Sequence, residues 1–526
     1  MTWNPPPLSP DAAASYRLSR QRWIIALAVM SAAIMELLDT SVVNVSLPYI
    51  AGNLSAPVEQ ATWVLTSYLV ANAIVLPMSG WLASRIGRRH LLMFSIGGFT
   101  AASLLCGLAP TLPWLVAFRV AQGACGGFLQ PLSRAILLET FPREERGKAM
   151  ALWGAGIVAA PILAPALGGW LTADFNWRWV FFINLPVGIY SWSMVYAYIH
   201  DPHYLRRQGK IDGWGLGLLA LGIAALQIML DKGQEDDWFG SRFIVTLGVI
   251  AVVMLLLFVW RQLTVRHPIV HLHLLRYRSF AVGAGLGAVL GFVLFGSLVL
   301  LPLFMQRLLN FSPLQAGIWT SPRGLGSMLL MPVAGYLLGR AWDSRWLLFA
   351  GFTGAGAGLL MFSHMNLNTG YMNLLWPQLV MGAALAFTFV PMSTLTVDPI
   401  PNEEMGFAVS ITALLRNLGA SVGISVAATL LARRAQFHQA RLTPAFNPYN
   451  PVFRQQRAAL AARLQSSGFS PFSAGRHALA LLYAQIRQQA SVMSYLDAFH
   501  LMAWCFFLAA PLVFLMHRAR HQQRQS

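Results

Sequence analysis

Apolar runs of about twenty residues recur along the whole length of this 526-residue chain. A helix rising about 1.5 Å per residue needs about twenty such residues to cross the hydrocarbon core of a bilayer. In that solvent only helices and closed barrels satisfy their own backbone, and these runs are too long for barrel strands. The chain therefore reads as an all-α polytopic membrane protein. Charged residues make up only 11% of it, against about 25% in soluble domains, so no sizeable soluble domain is expected. The net charge of +18 would suggest nucleic acid in a soluble protein. Here most of the basic residues fall in short loops, where they are a topology signal, and no nucleic-acid partner is expected.

Hydropathy places about fourteen spans near 23–47, 61–83, 91–109, 113–138, 148–172, 178–199, 213–231, 243–261, 280–305, 314–338, 346–365, 371–397, 406–432 and 496–516. With the N-terminus in the cytoplasm, Arg85, Arg88, Arg89, Arg143, Arg146, Lys148, Arg206, Arg207 and Lys210 all face inward. So do Arg261, Arg266, Arg276, Arg278, Arg340, Arg345, Arg518, Arg520 and Arg524. The short outer loops hold few cations, which agrees with both termini in the cytoplasm. The first apolar run starts past residue 20 and is too long for a cleavable signal. Cys106, Cys125 and Cys505 fall in spans without paired spacing, and neither a disulfide framework nor a metal site is expected.

Glu36 and Asp39 lie inside the first span, three residues apart and so on one helix face. Glu36 is roughly 20 Å along the helix from Trp23, near mid-bilayer. A carboxylate there is expensive unless it faces water, takes a proton or meets a cation. The pair reads either as a proton relay or as a buried acid tied to an Arg for structure alone. Arg119, about a turn into the fourth span, is the expected partner, with Gln122 as polar support; the alternative is that Arg119 reaches an interface or backbone carbonyls.

The sequence also repeats itself. Pro77, Gly80, Leu82 and Arg85 recur as Pro332, Gly335, Leu337 and Arg340, an offset of 255. Pro131 and Ser133 recur as Pro391 and Ser393 at 260, and Gly147 and Ala149 as Gly406 and Ala408 at 259. Three matches in one order at nearly one offset, between spans of like orientation, indicate a parallel repeat of two six-helix halves. The spans at 213–231 and 243–261 are the surplus pair. The resulting division is a tail at 1–22, a first bundle at 23–205, inserted helices and linkers at 206–278, and a second bundle at 279–526. Such a pair of bundles around a cleft suits alternating access. No zinc signature, phosphate loop or nucleophile elbow supports an enzyme.

These segments resemble a known family. Leu38 to Pro48, the loop from Gly80 to Arg89, Arg119 to Gly123, Ala164 to Gly169, Trp177 to Pro186 and Leu226 to Gly233 are similar to motifs of the major facilitator superfamily, in its fourteen-helix drug:proton antiporter branch. The resemblance implies the major facilitator fold, two six-helix bundles with two extra helices between them, and proton-coupled efflux of lipophilic or aromatic compounds from the bacterial inner membrane, with protons as coupling ion and no other cofactor. A narrower physiological substrate, such as a siderophore, organic acid or metabolite, is the alternative. It also links Arg119 to proton coupling and gives conformational roles to Gly80, Arg85, Gly87 and Arg88, and to Pro161, Pro165, Gly168 and Gly169 in the fifth helix. Two departures stand out. Ser84 occupies the place of an acid thought to clasp the two halves, so that latch is either weaker here or uses another partner such as Asp343 or Glu144, and Ala164 replaces a Gly.

For a greasy cavity the candidates are Asn44, Trp63, Tyr68, Trp153, Phe292, Phe295, Gln378, Met381, Phe387, Phe389 and Arg416, each of which has a packing role as its alternative. The hydrophilic stretch 433–495 is expected outside, with amphipathic helices near 451–465 and 474–490 and with Leu479, Leu482 and Ile486 on one face. Exporters of this branch carry such a loop and work with a periplasmic EmrA-like adaptor and an outer-membrane channel. A docking surface and a solvated cap are both open readings of it.

Overall fold

The computed structural model describes residues 10–142, 145–199, 212–265, 268–339, 342–447 and 449–518. Arg143, Glu144, Arg206, Arg207, Lys210, Arg266, Arg340, Arg520 and Arg524 lie outside them. The described residues form helices: α1 (Pro10–Asn53), α2 (Trp63–Val75), α3 (Ser79–Ile86), α4 (Arg88–Leu108), α5 (Leu112–Gly126), α6 (Leu129–Thr140), α7 (Arg146–Asp174) and α8 (Asn184–Tyr198). Next come α9 (Gly213–Lys232) and α10 (Arg242–Thr264), then α11 (Arg278–Arg307), α12 (Pro313–Gly339), α13 (Ser344–Phe362), α14 (Tyr371–Leu395), α15 (Met405–Leu442), α16 (Pro451–Ser466) and α17 (Pro471–Ala509). Every expected span coincides with a helix or a pair of broken helices. The second span breaks at the turn Leu76–Met78, where Pro77 supplies no donor, and the fourth breaks between α5 and α6 at Gly127. Twelve stretches of described helix are long and apolar enough to cross a bilayer.

In the first half, α1 packs on α6, α7 and α8, and α2 on α5. In the second, α11 packs on α15, α14 on α12 and α13, and α17 on α13 and α15. The inserted pair α9 and α10 pack on each other, and α9 also touches both α2 and α15. Ser421 donates to Gln227 Oε1 at 2.8 Å, Ser425 to the Leu230 carbonyl at 2.8 Å, and Trp238 to Thr429 at 3.1 Å, which fixes α9 to the second half. Outward-facing Val249, Val252, Leu256, Trp260 and Leu263 leave α10 only one covered face, as a lipid-facing helix requires.

The halves meet through repeat-related glycines. A Cβ on Gly80 would lie 2.8 Å from the Phe407 nitrogen, and one on Gly335 would lie 3.1 Å from the Gly147 carbonyl oxygen. Gly80 and Gly335 are matched by the repeat, and so are Gly406 and Gly147, so the two contacts are counterparts. Ser79 and Ser410 hydroxyls, 2.6 Å apart, and the bond from the Gly80 N–H to Ser410 Oγ at 3.1 Å seal the first of them. Both contacts lie at the Arg-rich end of the bundle. Ser84 turns back to donate to the Trp81 carbonyl at 2.7 Å, and Arg88 pairs with Glu139 of its own half. Asp343 pairs with Arg345 and Arg518, each at 2.9 Å, and so makes its ion pairs within the second half; Glu144 lies outside the described residues. At Gly87 the backbone takes φ +88° between α3 and α4, a conformation that only glycine adopts without strain. Gly87→Ala is expected to lower stability by about 1 kcal/mol, read as an earlier melting transition in detergent.

Burial pushes the Asp343 carboxyl up, but hydrogen bonds from Arg345 and Arg518 win and hold it at about 2. A depressed acid stabilises the fold above its unfolded value and loses that contribution as pH falls through the folded one. The melting difference between wild type and Asp343→Asn is therefore expected at pH 7, and should shrink between about pH 4 and pH 2.

The stretch 433–495 differs from a loop. α15 runs on to Leu442, and α17 starts at Pro471 and continues unbroken to Ala509, so a helical hairpin stands out from the spans with α16 beside it. Ala474, Ala478, Leu482, Ile486 and Ala490 form its buried stripe, while Leu479 is 47% exposed. Ala478 takes the place expected for Leu479 because the buried positions recur every fourth residue from Ala474, and small side chains there let helices approach closely. Asp497 ties the hairpin base, accepting from Arg434 at 2.5 Å and His438 at 2.7 Å.

Candidate functional site

Asp39 and Glu36 project from α1 into the interior of the first half, and both are buried. Arg119 of α5 donates from Nη1 to Asp39 Oδ2 at 2.6 Å and from Nε to the Val64 carbonyl at 3.0 Å. Gln122, one turn along α5, donates to Asp39 Oδ1 at 3.0 Å and accepts from Arg119 at 2.8 Å. Asn184 adds a third donor to Asp39, at 2.7 Å. The Arg119 guanidinium lies 4.1 Å from the centre of the Tyr68 ring. Neither partner of this ion pair has any exposed side-chain surface. Two such charges persist away from water only when paired and hydrogen-bonded. Here every position but Arg119 Nη2, which is buried without a hydrogen-bond partner among the described residues, is so satisfied.

Glu36 has a separate set of partners. Gln130 donates to its Oε2 at 2.8 Å, Asn72 to Oε1 at 3.0 Å and Tyr68 to Oε1 at 3.5 Å. Gln130 in turn accepts from Arg416 of α15 at 3.2 Å. A chain of hydrogen bonds thus runs from an acid of the first half to a guanidinium of the second. Beside it, a small cavity of about 20 Å³, room for about one water, is lined by Arg134 and Arg416 and by Gly283, Phe389, Ser393 and Thr412. Arg134 donates to the Ser393 carbonyl at 3.3 Å. The Nε of each of these two arginines is buried without a hydrogen-bond partner among the described residues. Two guanidinium groups with unused donors are the partners a carboxylate or phenolate needs, in a state where this gap is wider.

The other expected cavity residues scatter. Tyr68 belongs to the acid network. Gln378 is fully buried and accepts from Arg323 at 2.9 Å. Trp153 is buried and stacks on Phe389 across the two halves, with centroids 5.6 Å apart. Phe292, Phe295 and Phe387 are half-buried, Trp63 is 37% exposed, and Asn44 is exposed on α1. Of the expected set, Arg416 and Phe389 line the cavity described above. In α7 the helix is continuous through positions 161 and 165, whose side chains lie outside the described residues. A Cβ on Gly168 would meet Val42 of α1 at 3.0 Å, while Gly169 has open space. The close approach at Gly168 is therefore within the first half. Gly147 and Gly154 carry the approach across to the second, against Gly335 and Met331.

The sequence reading missed Gln130, Asn184, Asn72 and Arg134. Arg134 had a signal, an arginine inside an expected span, and Asn184 sits in the segment Trp177 to Pro186; Gln130 and Asn72 had none beyond being polar in apolar helices. At the repeat's offsets of 259 for this helix and 255 for the second span, Arg119 falls on Gln378 and Val64 on Trp319, and Gln378 donates to the Trp319 carbonyl at 3.4 Å as Arg119 does to that of Val64. The second half thus keeps the bond to the facing backbone carbonyl, with glutamine in place of arginine. It lacks the acid, since Asp39 falls on Leu298.

The sequence pattern of the Major Facilitator Superfamily matches residues 29–424. The fatty acid resistance protein FarB of Neisseria gonorrhoeae is 37% identical, over 93% of this chain and 95% of its own. The multidrug export protein EmrB of Haemophilus influenzae is 38% identical, over 85% of this chain and 90% of its own. Among solved structures, the proton:xylose symporter XylE superposes with a TM-score of 0.59 at 15% identity, covering 94% of this chain and 96% of that one, a likeness of fold. With a superfamily pattern over most of its spans, and relatives of this identity over nearly its whole length, the chain belongs to the major facilitator superfamily as an EmrB-like multi-pass membrane protein.

Proposed function

We propose that the protein is a proton-coupled exporter of lipophilic and aromatic toxic compounds across the bacterial inner membrane, working by alternating access with both termini in the cytoplasm. The observation that carries this reading is the fully buried Asp39–Arg119 pair, braced by Gln122 and Asn184 at the centre of the first half. A proton on Asp39 removes the charge that holds Arg119 in place, and so favours an arrangement in which the guanidinium finds other partners. Deprotonation restores the pair. Glu36, linked through Gln130 to Arg416, is the second acid, placed to pass the change to the other half. Glycine contacts at the Arg-rich end close the cytoplasmic side in one state and separate in the other.

The two arginines on the cavity favour substrates that combine a greasy body with an acidic head, and the relative named for fatty acid resistance supports that class. Under this reading Arg416→Gln and Arg134→Gln raise the concentration needed for half-maximal export of an acidic lipophile at least about tenfold, and change a neutral one less. Susceptibility profiles and vesicle transport assays with matched acidic and neutral compounds measure the difference. Equal shifts for both compounds would indicate a structural role for the arginines.

The helical hairpin around α16 is proposed to dock an EmrA-like periplasmic adaptor, which would join the pump to an outer-membrane channel. Replacing residues 446–470 with a short linker is expected to abolish efflux from cells while leaving transport in reconstituted vesicles in place. Undiminished cellular efflux would sink the docking role.

A further inference from the structure

The linker into α11 and the linker into α15 come together beside the inter-half contact. A tight turn over Leu272–Arg276 follows His271 and contains His273, and a second turn over Asn402–Glu404 ends in Glu404, just before α15. His273 Nε2 lies 3.1 Å and His271 Nδ1 3.9 Å from Glu404 Oε1, and the three donor atoms all lie within 4.8 Å of one another. The His271 ring is held face to face on Phe407, with centroids 3.7 Å apart and planes 7° from parallel. Its Nδ1 is buried and has no hydrogen-bond partner among the described residues, since 3.9 Å is too long for a bond to the carboxylate.

Two imidazoles and a carboxylate are the donor set of zinc-class ions. With bonds of about 2.0–2.2 Å, tetrahedral donors stand about 3.3 Å apart, so the two separations from Glu404 bracket the required value and a small ring rotation closes the third. We infer that His271, His273 and Glu404 form a binding site for a divalent transition-metal ion of the zinc class. It joins the linker before α11 to the start of α15 and steadies Phe407 against Gly80. The ion gives the unpartnered Nδ1 a ligand and meets a single negative charge with two neutral donors, leaving a fourth position for water. Because Phe407 is the residue whose backbone lies on Gly80, an ion held there favours the state in which the halves touch at that end.

The full-length protein, purified without a polyhistidine tag and stripped with chelator, is titrated with Zn²⁺ by calorimetry and with Co²⁺ by visible absorption. One Zn²⁺ per chain is expected in the wild type, with the absorption of tetrahedral Co²⁺. His271→Ala combined with His273→Ala, and separately Glu404→Gln, should weaken binding at least about tenfold. Exposed His273 also serves alone as His273→Ala, so a misfolded double variant does not remove the comparison. Equal affinity in wild type and variants, or no Zn²⁺ bound by the wild type, overturns the site. In reconstituted vesicles Zn²⁺ should slow turnover of the wild type and leave the His273→Ala variant unaffected; an unchanged wild-type rate with Zn²⁺ bound overturns the link to the inter-half contact.

Discussion

Asp39→Asn is expected to lose pH-gradient-driven export and to melt earlier than the wild type. Both effects have the same source. Arg119 has no exposed surface, and without the carboxylate it becomes a buried, uncompensated cation, a change worth about 3–5 kcal/mol. Its bonds to the Val64 carbonyl and to Gln122 hold the guanidinium in place but do not neutralise it. Adding Arg119→Gln removes the stranded charge, so the double variant is expected to regain most of the lost stability and none of the transport. A pair that only tied α1 to α5 would behave differently: the double variant would then transport as well as it folds. Thermal unfolding in detergent and substrate-driven proton movement in vesicles separate the two outcomes.

Gly80→Ala is expected to slow turnover at least about tenfold while leaving the protein folded. The added carbon would stand 2.8 Å from the Phe407 nitrogen and 2.9 Å from its Cα, backbone atoms that no rotamer change can move. The halves can reach their closed contact only by shifting apart, and a strain of about 1.4 kcal/mol on that one state changes its population about tenfold. Gly147→Ala provides the contrast. Its carbon would meet the Gly335 carbonyl oxygen at 3.5 Å and Leu338 at 3.6 Å, ordinary contact distances, and little change is expected. Distances between spin labels placed on α3 and α15 should lengthen in Gly80→Ala and stay near wild type in Gly147→Ala.

The spans were legible in the sequence because the bilayer imposes one simple demand, a long apolar helix, and every expected span has a helix. The repeat was legible for a related reason: glycines matched in sequence, Gly80 with Gly335 and Gly147 with Gly406, meet crosswise in space. The Asp39–Arg119 contact could be anticipated because two opposite charges inside apolar helices have few ways to coexist there. What could not be read was the identity of neutral partners. Gln130 and Asn72 differ from any other amide in a membrane helix only by what faces them, and that depends on helix rotation, which periodicity leaves loose. Arg134 carried its own signal, yet its neighbour Arg416 comes from the other half, and only the packed bundle brings them to one cavity. The outer segment was legible as helix, since α16 and α17 lie where amphipathic helices were expected; its limits were not, because a helix that leaves the membrane without breaking carries no boundary signal.

Proton coupling through the acids of α1 is tested most directly in everted vesicles with an acidic lumen. Adding a lipophilic substrate outside is expected to raise luminal pH with the wild type, to do so weakly with Glu36→Gln, and to have no effect with Asp39→Asn. Full substrate-driven proton release and full export in both variants would contradict a proton path through Asp39 and Glu36.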